Sequence, residues 1–376
     1  MNTQKKACVI SSYTYITENV NYGALLQYYA LEKTLSKLGI EAYWLRFRSP
    51  GDRTLKRKIK KIIKLIIRPL DELKIRKTLL SFDRFIEQYA NVSKEEYLSE
   101  EMLFNNPPEA DVYITGSDQV WAGTLEPNYL TFASDNKPKV SYAASFGKNE
   151  ISDEHKTIIK PWLAKMDAVS VRESSGVDIC QSIGIDSVQV LDPTLLIGEN
   201  EYPARCDCYC PDVYCYFLNF KYLNEISWDR ILKFVLDEKL SIKIACTNQT
   251  FQKYSKEYRD LPSPEEWLTK YRNAKYIITN TFHGTVFAII FRKQFIVIKQ
   301  KGEGAKQNIR ISSLLEKLGL EYRYYDENSP LSQQINSSIN WDLVEKKITS
   351  LRHESFEYLN RVKNLIEKRS EVENED

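Results

Sequence analysis

Several features that would mark a fibrous, disordered or membrane-spanning chain are scarce in this sequence. Only 13 of its 376 residues are glycine and only 13 are proline, which excludes collagen-like and low-complexity chains. The apolar run from Thr285 to Phe291 stops at Arg292, far short of the ~18 residues that a membrane-spanning helix needs. The polar residues before Ala7 lack the apolar core of a secretory signal. We therefore expect a soluble globular protein in the cytoplasm.

The sequence also lacks an excess of charge of one sign and a pattern of paired cysteines. Lysine plus arginine number 53 against 51 acidic residues, so the net charge of +2 gives no case for nucleic-acid binding. Seven cysteines is an odd number, and the one cluster does not have the CxxC spacing of zinc sites. The cluster consists of Cys206, Cys208, Cys210 and Cys215. We expect free, buried thiols, no metal and no cofactor.

Short apolar runs alternate with helical periodicity along the chain, which is typical of parallel sheets covered by helices. The predicted strands are 7–11, 41–47, 111–115, 139–144, 168–171 and 188–191, then 213–218, 242–246, 275–279 and 295–298. The clearest predicted helices are 22–38, 153–165, 173–182 and 341–368. The sequence therefore predicts an α/β fold with two domains, 1–195 and 196–340, followed by a helix and a frayed acidic tail within 341–376.

One segment, 53–77, is strongly basic, with eleven Lys or Arg residues against Asp71 and Glu72. Its apolar residues share one helical face; they are Ile59, Ile62, Ile63, Ile66 and Leu70. A basic amphipathic helix can lie on an anionic membrane surface. The same stripe can instead pack on the domain, and we favour that interpretation because it is the commoner one.

Ligands of open parallel sheets bind beyond the carboxyl ends of the strands, and the loops at these ends carry polar residues. The loop after strand 111–115 holds Ser117, Asp118, Gln119 and Trp121. Such a mixture of hydroxyl, carboxylate, amide and indole suits a sugar site, although a satisfied structural loop is equally consistent with it. Ser145 follows the next predicted strand.

Two further strand ends carry groups that can bind an anion. Arg172 follows strand 168–171, where its guanidinium can fork onto a carboxylate or phosphate or pair with Glu173 or another acid. The segment 19–24, rich in asparagine, precedes the first helix and favours an anion only weakly, since an ordinary helix cap is the commoner interpretation.

His283 begins the apolar helix after strand 275–279. A charged imidazole at a helix N-terminus is disfavoured unless an anion lies nearby, and a lone histidine is more often structural. The loop after the following strand adds cations that can line a site for a small dianion or form a solvated surface. They are Lys299, Lys301, Lys306 and Arg310.

Six segments together resemble the polysaccharide pyruvyl transferase family, from the first strand to about Gly319. They are 21–27 (NYGALLQ), 115–121 (TGSDQVW), 141–147 (SYAASFG), 170–173 (SVRE), 191–194 (LDPT) and 282–285 (FHGT). The resemblance implies two Rossmann-like domains facing a cleft, as in GT-B glycosyltransferases. It implies phosphoenolpyruvate as the donor, with no metal required, and a pyruvate ketal on a sugar of an exopolysaccharide, a capsule or a lipid-linked precursor. That precursor would lie at the inner face of the cytoplasmic membrane.

The resemblance also implies roles for individual residues. His283 and Arg172 would hold phosphoenolpyruvate, and His283, kept protonated by the dianion, would act as the general acid. Asp118 would orient or deprotonate a sugar hydroxyl, or only bind it. The family often has an arginine two residues before the histidine, where this chain has Thr281. One of Lys299, Lys301 and Arg310 would have to replace that arginine.

The remaining predicted site residues follow from the same loops. Those expected to bind the donor are Asn21, Gly23, Asn280, Thr281, Gly284 and Thr285, and those expected to bind the acceptor are Ser117, Gln119, Trp121 and Ser145. Two other functions stay open. One is a GT-B glycosyltransferase that uses a nucleotide sugar. The other is a non-catalytic carbohydrate-binding protein, for which Thr281 is the only hint.

Overall fold

The computed structural model describes residues 4–12, 19–48, 68–205 and 207–375. These residues form two compact units. The first contains the described residues of 1–18, 24–197 and 351–376, and the second contains 19–23 and 198–350. The predicted division has boundaries near 195 and 340, whereas each unit of the structure combines separate stretches of the chain.

The main sheet of the first unit has five parallel strands in the order β3-β2-β1-β4-β5. They are β1 (Lys5–Ile10), β2 (Ile40–Phe47), β3 (Val92–Tyr97), β4 (Val112–Thr115) and β5 (Lys139–Ser141). A parallel pair, β6 (Ser170–Val171) and β7 (Val188–Gln189), continues beyond β5 through an isolated bridge between Ala144 and Val171. The helices are α1 (Tyr22–Lys37), α2 (Pro69–Tyr89), α3 (Glu100–Asn105), α4 (Asp153–Leu163) and α5 (Ser174–Ser182).

The second unit repeats this order as β10-β9-β8-β11-β12, again all parallel. Its strands are β8 (Val213–Tyr216), β9 (Ile242–Ala245), β10 (Arg259–Asp260), β11 (Tyr276–Thr279) and β12 (Gln294–Val297). Its helices are α6 (Trp228–Asp237), α7 (Pro264–Asn273), α8 (Phe282–Ile290), α9 (Asn308–Leu318) and α10 (Leu331–Ile335), and α11 (Trp341–Glu375) follows. The prediction of an α/β chain with two Rossmann-like sheets is confirmed.

The central strands form because they are apolar on both faces, as strands covered by helices on both sides must be. Every residue of β4, β8 and β11 is buried. All ten predicted strands are present within a few residues of their expected ends. The sequence missed β3 and β10, which are polar edge strands with weak apolar patterning.

The C-terminal helix differs from the prediction at its end. α11 continues through the region in which we expected a frayed tail, and its part from Leu351 onward belongs to the first unit. There the Ser355 hydroxyl accepts a hydrogen bond from the Leu191 amide (3.0 Å), and the Tyr358 hydroxyl donates to the Ser141 carbonyl (2.7 Å). These bonds tie the helix to the end of β5 and to the segment after β7.

Most of the predicted basic helix, including Ile59, Ile62, Ile63 and Ile66, lies outside the described residues. The described part, α2, packs through a different set of side chains: Ile75, Thr78, Phe82, Phe85 and Ile86. Leu70, which we placed on the packed stripe, is 73% exposed. None of the helices in the described residues combines the length and apolarity needed to cross a membrane.

Candidate functional site

A buried charged cluster lies at the carboxyl ends of the first unit's strands. Arg172 directly follows β6, and its guanidinium is 2.8 Å from Asp192, 2.9 Å from Glu173 and 3.5 Å from Asp118. Burial opposes the charge, yet the carboxylates of Glu173, Asp192 and Asp118 raise the pKa of Arg172 above its usual value. The guanidinium is thus engaged by three acids of its own unit.

This pairing weighs against the role expected for Arg172 as a ligand of the donor, which stays a prediction. One cation surrounded by three carboxylates leaves an excess of negative charge, which repels rather than attracts a dianion. Among the two interpretations that the sequence left open, the structure supports pairing with neighbouring acids. Glu173 and Asp192 were part of the segments singled out in the sequence, but no role was predicted for them.

Two serines predicted to bind the acceptor are buried and hold these acids instead. The Ser117 hydroxyl donates to Asp192 (3.2 Å) and also lies 3.2 Å from the Ala143 carbonyl. The Ser145 hydroxyl donates to Glu173 (2.9 Å) and accepts from the Gly147 amide (3.0 Å). Both serines are 0% exposed and orient carboxylates in this structure, and their direct contact with a sugar stays a prediction.

Asp118 is the acid of this cluster that solvent reaches. Its side chain is 14% exposed, against 3% for Glu173 and 0% for Asp192. Its backbone adopts a left-handed conformation with φ of 69°, which costs a residue other than glycine on the order of 1 kcal/mol. Its carbonyl is held by the amides of Val120 and Ser145 (2.8 and 2.9 Å). The loop therefore fixes one carboxylate at the solvent side of a buried charged cluster.

Trp121 lies in the core of the first unit, and its role as a platform for a sugar stays a prediction. Its side chain is 0% exposed and stacks on Tyr129 with ring centroids 5.7 Å apart. Its indole N–H donates to the Asn128 carbonyl (3.1 Å). Gln119 is half-buried and lies against Gly147, whose φ is +64°.

The second unit places His283 in the first turn of α8. The helix is capped by Thr281, whose hydroxyl accepts from the Gly284 amide (3.0 Å). The imidazole is 7% exposed, and Gly23 presses against it so closely that a Cβ at that position would lie 2.1 Å from Nδ1. Only glycine fits there, so Gly23 sets the position of the imidazole ring by its lack of a side chain.

Three other residues predicted to bind the donor have structural partners that explain their presence. The Asn280 amide accepts from the Leu218 N–H (2.8 Å) and donates to the Leu218 carbonyl (2.7 Å). The Thr285 hydroxyl, which is 0% exposed, donates to the Thr281 carbonyl (2.9 Å). A Cβ on Gly284 would lie 2.3 Å from Thr279 Oγ1. These residues shape the start of α8, and the direct donor contact expected for them stays a prediction.

Among the three cations proposed to replace the family's arginine, Arg310 lies beside the start of α8. It is 8% exposed, and its guanidinium carbon is 6.0 Å from the ring centroid of Phe282. Lys299 is exposed and lies over the Tyr324 ring at 4.7 Å. Lys301 is exposed and pairs with Glu327 at 3.0 Å, and Lys306 is exposed.

Sequence reasoning missed the aromatic packing that anchors the first turn of α1. The Tyr22 ring stacks on Trp267 with centroids 5.0 Å apart, and its hydroxyl donates to the Pro262 carbonyl (3.0 Å). This anchor holds the adjacent Gly23 against His283. Asn21, predicted to bind the donor, is half-buried just before the helix. The only sign of this packing in the sequence was the position of Tyr22 within the segment 21–27.

The cysteine cluster is less buried than expected. Cys215 is buried, but Cys208 and Cys210 are half-buried, and Cys206 lies outside the described residues. Burial raises the pKa of the Cys208 thiol to about 11. In the described part of the chain, no group of three or more His, Cys, Asp or Glu side chains has a metal-binding arrangement.

A family model described as polysaccharide pyruvyl transferase matches residues 21–302, three quarters of the chain. The chain belongs to the polysaccharide pyruvyl transferase family. Membership makes it a transferase of polysaccharide biosynthesis, and the matched range includes both the Asp118 loop and the His283 loop. A search of curated proteins found no match for this member of the family.

Solved structures similar to this family member are distant in sequence. A UDP-GlcNAc 2-epimerase from Methanocaldococcus jannaschii, in complex with UDP-GlcNAc and UDP, has 11% identity and a TM-score of 0.49, with 93% of this chain and 99% of that chain covered. The spinosyn forosaminyltransferase SpnP has 8% identity and a TM-score of 0.46, with 97% and 100% covered. Structural similarities of this degree give no information about which ligands this chain binds.

Proposed function

We propose that the protein transfers the pyruvyl unit of phosphoenolpyruvate to two hydroxyls of one sugar, forming a cyclic ketal in a surface polysaccharide or its precursor. The observation that carries this proposal is the family match over 21–302. The match covers an imidazole at a helix N-terminus and a carboxylate at the solvent side of a charged cluster. Proton donors and acceptors of this kind are what the reaction requires.

The donor side of the proposal is assigned to the second unit. The helix dipole at the start of α8 favours an anion, and the buried Arg310 adds a cation beside Phe282. His283 would donate a proton to the methylene carbon of phosphoenolpyruvate, which makes the neighbouring C2 electrophilic. Arg310, and not Arg172, would supply the positive charge that other family members obtain from an arginine two residues before the histidine.

The acceptor side of the proposal is assigned to Asp118. One sugar hydroxyl adds to C2, and its proton passes to the Asp118 carboxylate. The bond between C2 and the phosphate oxygen then breaks, and inorganic phosphate leaves with the bonding electrons. The second hydroxyl then adds to C2, which closes the ring, and its proton passes to the released phosphate. Phosphoenolpyruvate and a diol thus give a ketal and phosphate, with no change in oxidation state.

The test is to incubate the purified protein with phosphoenolpyruvate and a panel of lipid-linked and nitrophenyl sugars. Phosphate release accompanied by a ketal product in mass spectrometry supports the proposal. Isothermal titration separates the alternatives. Binding of UDP or GDP without phosphoenolpyruvate would indicate a nucleotide-sugar glycosyltransferase, and sugar binding without either donor would indicate a non-catalytic protein.

The role of His283 is tested with a matched pair of histidine variants. His283→Gln should lower kcat by about 10²- to 10⁴-fold, because it removes the proton donor. His353→Gln should leave kcat unchanged, because His353 is exposed on α11, where it faces Glu357. Circular dichroism and thermal melting check that both variants fold. A His283→Gln enzyme with normal turnover would remove this residue from the mechanism.

A further inference from the structure

α2 buries one face and exposes apolar side chains on the opposite one. The buried side chains, from Ile75 to Ile86, lie on one side of the helix axis. Leu70, Leu73 and Leu80 remain 73%, 54% and 49% exposed. At ~100° per residue, Leu73 and Leu80 project within about 20° of each other and away from the buried face. Three leucines exposed to water on one helix indicate a surface that binds a partner.

The same exposed face is positively charged. Lys77 and Arg84 lie in line with the leucines, and both are exposed. We call Leu70, Leu73, Lys77, Leu80 and Arg84 the leucine crest. The exposed cations Lys74 and Arg76 flank it on either side. The acids of the helix are Asp71, Glu72, Asp83 and Glu87. At ~100° per residue, Glu87 projects within about 20° of Leu80 at the C-terminal end of this face, and the other three lie outside the crest.

The sequence immediately before α2 strengthens this charge. Residues 53–67 contain seven lysines or arginines and no acid. Cations close to an anionic lipid surface attract it, and the attraction adds up along a basic segment. Apolar side chains between such cations can enter the boundary between headgroups and acyl chains.

We propose that the leucine crest docks the protein on the surface of an anionic lipid bilayer, with the leucines inserted and Lys77 and Arg84 at the headgroups. Charge complementarity favours this occupant over two others. A second copy of the crest would bring its own Lys77 and Arg84 against those of the first. A nucleic acid would pair with the cations and leave the leucines in water. This inference is independent of the proposed function, because it uses no residue of the candidate site.

The test is cosedimentation of the full-length protein with vesicles of phosphatidylcholine alone or mixed with phosphatidylglycerol. The double variant Leu73→Ser with Leu80→Ser and the double variant Lys77→Glu with Arg84→Glu each change only exposed side chains. Each should weaken binding to the mixed vesicles by at least about tenfold. Leu236→Ser is the matched control, because Leu236 is 74% exposed on α6 of the second unit; it should bind like the unchanged protein.

Several results would overturn the proposal. They are equal binding to both kinds of vesicle, normal binding by either double variant, and an equal loss in Leu236→Ser. Sedimentation velocity without lipid gives a second check. Self-association that disappears in Leu73→Ser with Leu80→Ser would assign the crest to a contact between two copies of the chain. Thermal melting should show that all variants retain their fold, and phosphate release should be unchanged with a water-soluble acceptor.

Discussion

The two five-stranded sheets have the same strand order, but the loops after their corresponding strands β4 and β11 hold different chemistry. After β4, Asp118 belongs to a cluster in which one guanidinium is surrounded by three carboxylates. After β11, His283 lies at a helix N-terminus against a glycine. Topology thus determines where a functional loop emerges. The neighbouring side chains determine whether the loop favours an anion or carries a carboxylate that can accept a proton.

The largest expected effect comes from removing the cation of the first loop. Arg172→Ala leaves three carboxylates around an empty position and should destabilise the protein by about 3–5 kcal/mol. Arg310→Ala, beside the second loop, should cost less, because Arg310 lies beside an aromatic ring and a glutamine rather than within a set of acids. Urea denaturation measures both.

Kinetics of milder variants separate the two arginines further. Arg172→Lys keeps a positive charge in the cluster, so it should fold and should retain the KM for phosphoenolpyruvate while kcat falls. Arg310→Gln should raise that KM. If Arg172→Lys raises the KM and Arg310→Gln does not, the donor role returns to Arg172 and the contrast between the two loops is wrong.

The next prediction compares two acids of the same cluster. Asp118→Asn should lower kcat by about 10²-fold with little loss of stability, because Asp118 is the least buried acid of the cluster and the proposed proton acceptor. Asp192→Asn should instead lower stability, because the fully buried Asp192 accepts bonds from Arg172, Ser117 and Thr194. Thermal melting and kcat are measured for both. Similar losses of stability in the two variants would show that Asp118 is structural as well.

A third prediction addresses the glycine that defines the second loop. Gly23→Ala places a methyl group 2.1 Å from His283 Nδ1, so the imidazole must move and kcat should fall at least about tenfold, with about 1–3 kcal/mol of destabilisation. Gly123→Ala is the control, because a Cβ there meets nothing within 4 Å. Unchanged turnover in Gly23→Ala would mean that the position of His283 is not critical.

The sequence predicted the sheets well because buried parallel strands need continuous apolar runs, and β4, β8 and β11 have them. It predicted which loops carry polar residues, but not which of these residues bind the protein itself. Asn280 and Ser117 are of the type that binds ligands, yet their partners are Leu218 and Asp192, more than 60 residues away. Such pairing depends on tertiary distance, which residue type and local spacing do not encode.

The burial of Trp121 illustrates the same limit. An indole directly after a strand suits both a sugar platform and a core, and only the position of Tyr129 and the surrounding apolar cluster decides between them. The close contact of Gly23 with His283 joins residues 260 positions apart. Likewise, the local sequence does not show that Arg310 is buried beside Phe282 while Lys299 and Lys301 are exposed.

The last comparison concerns a buried acid that, unlike Asp192, is held by amide groups instead of a guanidinium. Glu32 on α1 accepts from the backbone and side-chain amides of Asn91 (3.1 and 2.9 Å), and burial raises its pKa to about 7. Its protonated form is therefore favoured by folding. The contribution of this group to the free energy of unfolding is fully present below about pH 4.5 and is lost as the pH rises through about 7.

Glu32→Gln removes this dependence while keeping an oxygen that can accept from Asn91. The free energy of unfolding of the variant, relative to the unchanged protein, should therefore rise by up to about 3 kcal/mol between pH 5 and pH 8. Urea denaturation at several pH values measures the difference. Parallel stability curves for the two proteins would mean that Glu32 ionises in the folded state as readily as in the unfolded one. Holding a buried acid by amides rather than by a guanidinium would then have no effect on how the free energy of unfolding depends on pH.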